Sequence, residues 1–183
     1  MSMDAACTAH SGLEPAPTRD VRFHLRWLVT RDLSAVLAIE MESFAAPWSE
    51  ADFVDCLRHP QCVCMVAEHE GRVIGFAVYE LSDTGIRILN LAVTRSCRRQ
   101  GIASHIVHKL ANKFLSRRRR SISLLVRETN LPGQLFFRAQ GFRAVSTLRQ
   151  FYGRGLEDAY LMRYRRPSGG DDRAIPSKLR ASR

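Results

Sequence analysis

One continuous stretch, residues 86–115, restricts the possible folds of this chain more than any other. It begins with the strand-like run Ile86 to Val93, passes through a turn that contains Gly101, and continues as a helical pattern. The apolar side of that helix is formed by Ile102, Ala103, Ile106, Val107, Leu110, Phe114 and Leu115. The stretch therefore predicts a strand that leads through a glycine-containing turn into the N-terminus of an amphipathic helix.

The residues upstream predict a strand followed by two helices. Phe23 to Val29 alternates as a strand does, and Thr30 offers an N-cap for a helix that Pro47 ends. Ser49, with Asp52 three residues later, resembles a capping box at the start of a second, short helix. The inner side of the first helix is expected to carry Leu33, Val36, Leu37, Met41 and Phe44.

A hairpin and a third strand are predicted next. Cys62 to Glu68 and Arg72 to Leu81 are rich in Val, Cys and aromatic residues, and Glu70-Gly71 separates them. Ile86 to Val93 then continues this meander. Beyond the long helix, we predict a strand at Ser121 to Val126 and a helix from Pro132 to a C-cap at Gly141, with Leu135, Phe136 and Ala139 as its apolar residues. Two more strands are predicted at Phe142 to Leu148 and Asp158 to Tyr164.

The order of these elements is strand, two helices, three strands, helix, strand, helix and two strands. It predicts an α+β fold with a mixed sheet and helices on both faces. Length and composition agree with one domain, residues 21–166, flanked by tails of low apolar periodicity, residues 1–20 and 167–183, which we expect to be disordered. No stretch has the length and hydropathy of a membrane span, and the N-terminus lacks a secretory pattern, so a cytoplasmic location is expected.

The cysteines and histidines do not indicate a metal site. The five cysteines are odd in number and show no paired C-x-x-C spacing, and the six histidines form no ligand pattern. Cys62 and Cys64 lie two apart in a predicted strand, which places them on one face of the sheet. We interpret them as buried thiols and predict no metal.

The formal net charge of +10 raises the question of a nucleic-acid partner. Residues 165–183 hold six basic side chains against two acidic ones, so much of the excess lies in the C-terminal tail. A second block, Arg117 to Arg120, must point at least partly to water. A solvated basic surface and a weak contact with ribosomal RNA or an acidic partner both remain open interpretations of these segments.

The turn before the long helix is the strongest candidate for a binding site. A strand that leads into a helix N-terminus presents unpaired backbone N–H groups and the positive end of the helix dipole to an anion. Gly101 lets the backbone approach phosphate oxygens, while Ala103 and Ser104 leave space in the first helical turn. Arg98 and Arg99 add positive charge. These features predict a pyrophosphate site.

This turn, with several other segments, resembles the GNAT superfamily of N-acetyltransferases. Its signature, Arg/Gln-x-x-Gly-x-Gly/Ala, is matched by Arg98, Gly101 and Ala103. The likeness is to the RimI type, which acetylates the N-terminal alanine of a small-subunit ribosomal protein, and it covers about residues 21–164. The further matching segments are Glu42 to Ser49, Val126 to Asn130, Gly141-Phe142, Phe151-Tyr152 and Glu157 to Ala159.

The resemblance implies a largely antiparallel central sheet of about six or seven strands and a bound acetyl-CoA. By this likeness the main chain of Leu91, Ala92 and Val93 pairs with the pantetheine arm, and Asn130 touches the cofactor near its thioester. The likeness assigns the pyrophosphate to Arg99, Gln100, Gly101, Ile102, Ala103 and Ser104.

At two positions the chain departs from the resembled family. The family places a glutamate general base where this chain has Leu125, and a tyrosine general acid where it has Phe137. Neither apolar side chain transfers a proton, so neither role is carried over. Glu128, acting through water, and Tyr152, as an aromatic wall or proton relay, are the weak candidates that remain.

We therefore expect acetyl transfer from acetyl-CoA to an amine, foremost the N-terminal α-amino group of a protein, which a ribosomal protein could provide. An α-amine has a pKa near 7.7–8.0, so roughly a tenth is neutral at pH 7, against well under ~0.1% of a lysine. An α-amine acceptor therefore depends far less than a lysine on a general base of the enzyme to remove its proton. Two alternatives stay open: a CoA-binding but weakly active regulatory relative, and a basic module that binds RNA or the ribosome.

Overall fold

The computed structural model describes residues 22–115, 121–152 and 157–165. The predicted tails at 1–20 and 167–183 and the block Arg117 to Arg120 lie outside the described residues. Short 3-10 turns at Thr30–Asp32 and Arg95–Cys97 precede the first and third helices. The strands are β1 (His24–Trp27), β2 (Cys62–His69), β3 (Arg72–Leu81), β4 (Gly85–Val93), β5 (Ser121–Arg127), β6 (Arg143–Tyr152) and β7 (Glu157–Arg165). The helices are α1 (Leu33–Ser43), α2 (Glu50–Arg58), α3 (Ile102–Leu115) and α4 (Leu131–Ala139).

The strands form a single sheet in the order β1-β2-β3-β4-β5-β7-β6. Every neighbouring pair is antiparallel except β4 and β5, which run parallel. This is the mixed, largely antiparallel α+β sheet that was predicted. The parallel pair is joined through α3, as a connection between parallel strands requires a crossover.

Helices cover the sheet on both sides and enclose two hydrophobic cores. On one side, which we call the α3 face, Ile106 and Leu110 of α3 are fully buried with Ile122 of β5. On the other side, the α1 face, Val36 of α1 and Phe53 of α2 are equally buried. Side chains of β5 alternate, so that Ile122, Leu124 and Val126 point to the α3 face.

Local signals explain the tight turns. Glu70 and Gly71 both have positive φ, at 48° and 75°, as a two-residue turn of the hairpin type requires. The Ser49 hydroxyl accepts a hydrogen bond from the Asp52 N–H, and the Asp52 carboxylate accepts one from the Ser49 N–H, which confirms the predicted capping box of α2. Cys62 and Cys64 lie on the same face of the sheet, as predicted; Cys64 is buried, whereas Cys62 is only partly buried against the same core.

Helix α1 differs from the prediction at both ends and in its inner face. Thr30 begins a 3-10 turn instead of capping the helix, and α1 ends at Ser43, well before Pro47. Met41 was expected to face inward but is 71% exposed, whereas Glu40 is buried. The buried side of α1 is formed by Leu33, Val36, Ile39 and Glu40, and the carboxylate of Glu40 has partners inside the protein that are described below.

Helix α4 also buries a different residue from those expected. Sequence patterning indicated Leu135, Phe136 and Ala139, but Leu135 is 54% exposed and the buried ring is that of Phe137.

Within the described ranges, no helix reaches the length and hydropathy of a membrane-crossing segment.

Candidate functional site

A gap opens between the two central parallel strands. β4 and β5 are paired only from Gly85 with Ser121 to Ile88 with Leu124. Beyond that point β4 keeps its pairing with β3 as far as Val93, and β5 keeps its pairing with β7 as far as Arg127. The main chain of residues 89–93 therefore has a strand neighbour on one side only, within the described part of the chain. Such an edge accepts an extended ligand as if it were another strand.

The turn at the end of β4 presents a cluster of backbone N–H groups. Arg99 and Gly101 have positive φ values of 64° and 82°, which folds the turn back on itself ahead of α3. The N–H groups of residues 99–104 donate to no other group in the described part of the chain. They stand at the positive end of the helix dipole, where an anion is favoured.

Gly101 faces open space. A Cβ atom at this position would meet no atom of the protein within 4 Å. The turn is therefore open beside Gly101, which leaves room for a phosphate group to approach the backbone.

Arg98 holds the base of this turn in place through hydrogen bonds of its guanidinium. Its Nε donates to the carbonyl oxygen of Val93 at 2.9 Å, and its Nη2 donates to Oγ of Ser43 at 2.9 Å. The guanidinium thus ties the turn to the end of β4 and to the end of α1. Gln100 is held in the same way, since its Nε2 donates to the carbonyl oxygen of Ser96 at 3.1 Å.

Asn130 stands across the gap, three residues beyond the end of β5. It is the N-cap of α4, and its Oδ1 accepts a hydrogen bond from the N–H of Gly133 at 3.0 Å. A side chain on Gly133 would come within 2.7 Å of Nδ2 of Asn130, so glycine is needed there to keep the amide in place. The Nδ2 group makes no hydrogen bond to the described residues.

Leu125 and Phe137 lie on opposite faces of the sheet. Leu125 is the first β5 residue beyond the last β4 pair, and it is half-buried on the α1 face opposite Leu161 of β7. Phe137 is packed in the α3-face core, with its ring centroid 5.0 Å from that of Phe136 and 5.4 Å from that of Phe142. Neither side chain carries an ionisable group.

Glu128 is engaged with the neighbouring strand. Its N–H donates to the carbonyl oxygen of Asp158 at 3.1 Å, and its Oε1 accepts from the N–H of Asp158 at 3.2 Å. The carboxylate therefore extends the pairing of β5 and β7 by one residue. One oxygen of this carboxylate therefore has a main-chain partner on β7.

Tyr152 lies in a charged cluster at the far end of β5. The guanidinium carbon of Arg127 is 4.0 Å from the centre of the Tyr152 ring, and Arg127 is paired with the carboxylate of Glu157 at 2.6 Å. Burial raises the pKa of Tyr152, and the charge of Arg127 only partly opposes this shift. The phenol is therefore protonated at neutral pH and is a hydrogen-bond donor, not a base.

The sequence analysis missed a buried carboxylate that connects α1 to the splayed part of β4. Glu40 is 1% exposed. One of its oxygens accepts from the N–H of Trp48 at 2.8 Å and the other from Nδ2 of Asn90 at 3.0 Å. A signal was present, because Glu40 lies seven residues after Leu33 and four after Val36, within the apolar side of the helix. This contact positions the loop between α1 and α2 against β4.

Replacing Glu40 with alanine should lower the free energy of unfolding by about 3 kcal/mol, because two buried donors would lose their acceptors. Glu40→Gln should cost about 1 kcal/mol, since the amide oxygen still accepts from Trp48 and a turned Asn90 amide accepts from the new Nε2. Denaturant unfolding of the three proteins measures both differences.

The difference between the wild type and Glu40→Gln should also depend on pH. Burial raises the pKa of Glu40 above its ordinary value of 4.5, so the folded protein favours the protonated acid. The contribution of this group to stability is therefore complete below pH 4.5 and is lost as the pH rises through the pKa of the folded state. The advantage of glutamate over glutamine should shrink as the pH rises. An advantage that grows with pH would contradict this.

Two of the cysteine thiols, Cys56 and Cys64, are protonated at neutral pH, and the described residues form no cluster of metal ligands. Burial raises the pKa of the Cys56 thiol to about 12 and that of Cys64 to about 11, so both stay protonated. Among residues 22–115, 121–152 and 157–165, no group of three or more His, Cys, Asp or Glu side chains is placed to hold a metal ion.

Comparison with known proteins agrees with this arrangement. The sequence pattern of the acetyltransferase (GNAT) family matches residues 33–142. An uncharacterized N-acetyltransferase of Methanocaldococcus jannaschii is 32% identical over 146 residues, which are 79% of this chain and 92% of that protein. The ribosomal protein bS18-alanine N-acetyltransferase of Escherichia coli K12 is 27% identical over 137 residues, covering 74% and 92%.

Two solved structures show the same fold. The ribosomal-protein-S18-alanine N-acetyltransferase of Escherichia coli superimposes with a TM-score of 0.72 at 25% identity, covering 82% of this chain and 98% of that one. Ard1 of Thermoplasma volcanium has a TM-score of 0.71 at 27% identity, covering 78% and 97%.

The family match and these relatives show that the chain is an acyltransferase, and the splayed strand pair with its open helix N-terminus agrees with this class. The chain belongs to the acetyltransferase (GNAT) family, and it is an N-acetyltransferase that acts on amines.

Proposed function

We propose that this enzyme takes the acetyl group from acetyl-CoA and transfers it to the N-terminal α-amino group of a protein. The observation that carries the proposal is the gap between β4 and β5, which leads directly to the unpaired N–H groups of residues 99–104. An extended arm followed by a pyrophosphate matches this combination of a free strand edge and an anion site.

The residues of the chain would divide the binding of acetyl-CoA among them. The main chain of Leu91, Ala92 and Val93 offers its free edge to the amide groups of the pantetheine arm. The N–H groups of Arg99, Gln100, Gly101, Ile102, Ala103 and Ser104 would hold the pyrophosphate. Arg98 would act indirectly, through the two hydrogen bonds that hold the turn in place. The Nδ2 of Asn130, which makes no hydrogen bond to the described residues, would contact the cofactor near its thioester.

The lack of a general base and a general acid at the family positions favours an α-amine over a lysine as the acceptor. Leu125 and Phe137 cannot remove or supply a proton, so the amine must lose its proton without a residue at those positions. Roughly a tenth of an α-amine is neutral at pH 7, whereas well under ~0.1% of a lysine is neutral. The name of the Escherichia coli relative, an alanine N-acetyltransferase of ribosomal protein bS18, supports an α-amine acceptor on a ribosomal protein.

The chemistry then needs little from the protein beyond positioning. The neutral amine attacks the thioester carbonyl, its proton passes to water, and the CoA thiolate departs, helped by an ordinary thiol pKa of about 8.5. Tyr152, held protonated, would form a wall of the acceptor site beside Arg127.

The test combines calorimetric titration of acetyl-CoA with mass spectrometry of a panel of peptides. We expect binding, and at pH 7 at least about a hundredfold faster transfer to a free N-terminus than to a lysine side chain, from the neutral fractions of the two amines. Peptides with a blocked N-terminus serve as the control. Equal rates on lysine would contradict the α-amine assignment.

A second candidate is a CoA-binding relative with little activity, favoured by the same Leu125 and Phe137. Acetyl-CoA binding without transfer to any peptide of the panel would support this candidate over the first. The interpretation as an RNA-binding or ribosome-binding module draws on basic segments that lie outside the described residues.

A further inference from the structure

A row of polar residues crosses five strands on the α1 face. The strand register aligns Glu80 of β3 with Arg87 of β4, Arg87 with Ser123 of β5, Ser123 with Arg163 of β7, and Arg163 with Arg143 of β6. Ser123 points to the α1 face because its neighbours on β5 point to the α3-face core. We call Arg87, Arg163 and Arg143 the arginine row.

The positive charge of the arginine row is only partly balanced. Arg87 is paired with the carboxylate of Glu80, with Nε at 3.0 Å. Arg143 and Arg163 stand directly opposite each other, and neither forms an ion pair within the described residues. Arg165 lies two residues further along β7 on the same face. Like charges directly opposite on neighbouring strands destabilise a sheet, so a conflict of this kind points to a partner that compensates it.

The surface around the arginine row is not covered by the helices of the α1 face within the described residues. α1 and α2 pack mainly on β2, β3 and β4, which leaves this face of β5, β7 and β6 uncovered within the described residues. A cavity of about 370 Å³ lies at one end of this surface, beside the turn between β3 and β4. Its lining includes Glu80, Arg87, Ser121, Ser123 and Arg163. Guanidinium and hydroxyl groups together are donors suited to carboxylates.

The row lies at a defined distance from the acceptor position. Ser123 precedes Leu125 by two residues on β5, so at about 3.3 Å per residue the row lies about 7 Å from the level of Leu125. Ser121, opposite Arg165, lies about 13 Å from it by the same measure. An extended acceptor chain advances by the same amount per residue, so its third to fifth residues would reach the arginines.

We propose that the arginine row, with Arg165, binds an acidic segment of the acceptor protein that begins about two residues after the acetylated amine. This inference rests on the proposed function, because it takes Leu125 as the level of the acceptor amine. An acidic peptide fits better than RNA, since the aligned row holds Glu80 and no aromatic ring on which a base could stack.

The experiment compares two acceptor peptides that differ only at positions three to five, with aspartates in one and asparagines in the other. The full chain should prefer the aspartate peptide by roughly fivefold to tenfold in kcat/KM, carried by KM, since each half-exposed ion pair changes an equilibrium a few-fold. The preference should fall in high salt. In the double variant Arg143→Gln/Arg163→Gln, the ratio of the kcat/KM values for the two peptides should fall toward one. The control variant Arg138→Gln, which changes an exposed arginine on α4, should retain the preference.

Two further readouts separate this proposal from a structural role and from failure of the proposed function. The double variant should melt at the same or a higher temperature, because the opposed charges are removed; a lower temperature together with an unchanged preference would overturn the proposal. If no peptide is acetylated, fluorescence anisotropy of the N-acetylated peptides still tests the row: selective binding of the aspartate peptide supports it, and equal binding overturns it. Tighter binding of a short single-stranded RNA than of the aspartate peptide, lost in the double variant, would also overturn it.

Discussion

Replacing Gly101 with valine should weaken acetyl-CoA binding by about a hundredfold or more, a loss of about 2.7 kcal/mol or more. Two causes act together. The φ of 82° is a conformation that a β-branched residue adopts only with strain. The new side chain would also stand in the open space beside the unpaired N–H groups of the turn, where the phosphates must come close to the backbone. Calorimetric titration of acetyl-CoA measures the loss.

Gly71→Val is a closely matched control. Gly71 has a φ of 75° and, like Gly101, no atom within 4 Å of the position that a Cβ would take, but it lies in the hairpin turn between β2 and β3. Both variants should lose stability through backbone strain, on the order of 1–2 kcal/mol. Only Gly101→Val should lose acetyl-CoA affinity. A folded Gly101→Val protein with unchanged affinity would remove the basis for placing the pyrophosphate at this turn.

Leu125→Glu should accelerate acetyl transfer to an N-terminal amine by about a hundredfold, the low end of the range for a positioned base. Leu125 is half-buried at the point where β4 and β5 separate, so a carboxylate there would stand at the mouth of the gap. The low end is expected because its cross-strand neighbour, Leu161, cannot orient a carboxylate. The rate should be measured per folded molecule, since burying a charge costs stability.

Leu125→Gln is the matched control for Leu125→Glu, since glutamine has nearly the same shape as glutamate and is also polar, but it has no carboxylate that could accept a proton. Phe137→Tyr tests the acid side by adding one hydroxyl to a ring packed between Phe136 and Phe142. If Leu125→Glu and Leu125→Gln have equal rates and both bind acetyl-CoA, proton removal at this position does not limit turnover. Tyr152 would then be the next residue to examine.

Local patterns in the sequence determined most of the secondary structure. The hairpin at Glu70 and Gly71, the capping box of Ser49 and Asp52, and the strand, turn and helix around Gly101 were all predicted, because each depends on residues close together in the chain. The family departures at Leu125 and Phe137 could also be read directly from the sequence. The spacing of Glu40 from Leu33 and Val36 indicated that it lies on the inner side of α1, although the prediction placed Met41 there; what the sequence could not show is that Asn90, fifty positions away, donates to its carboxylate.

Only the tertiary structure decided how these elements form a site. The separation of β4 from β5 depends on how far two strands joined through α3 stay in register, and no local pattern encodes that. Arg98 was predicted to supply charge to a phosphate, and the structure shows it holding Val93 and Ser43. The arginine row draws its members from strands up to 76 positions apart, Arg87 to Arg163. Periodicity reports which face a residue takes, whereas contacts between distant residues arise from strand register and helix packing.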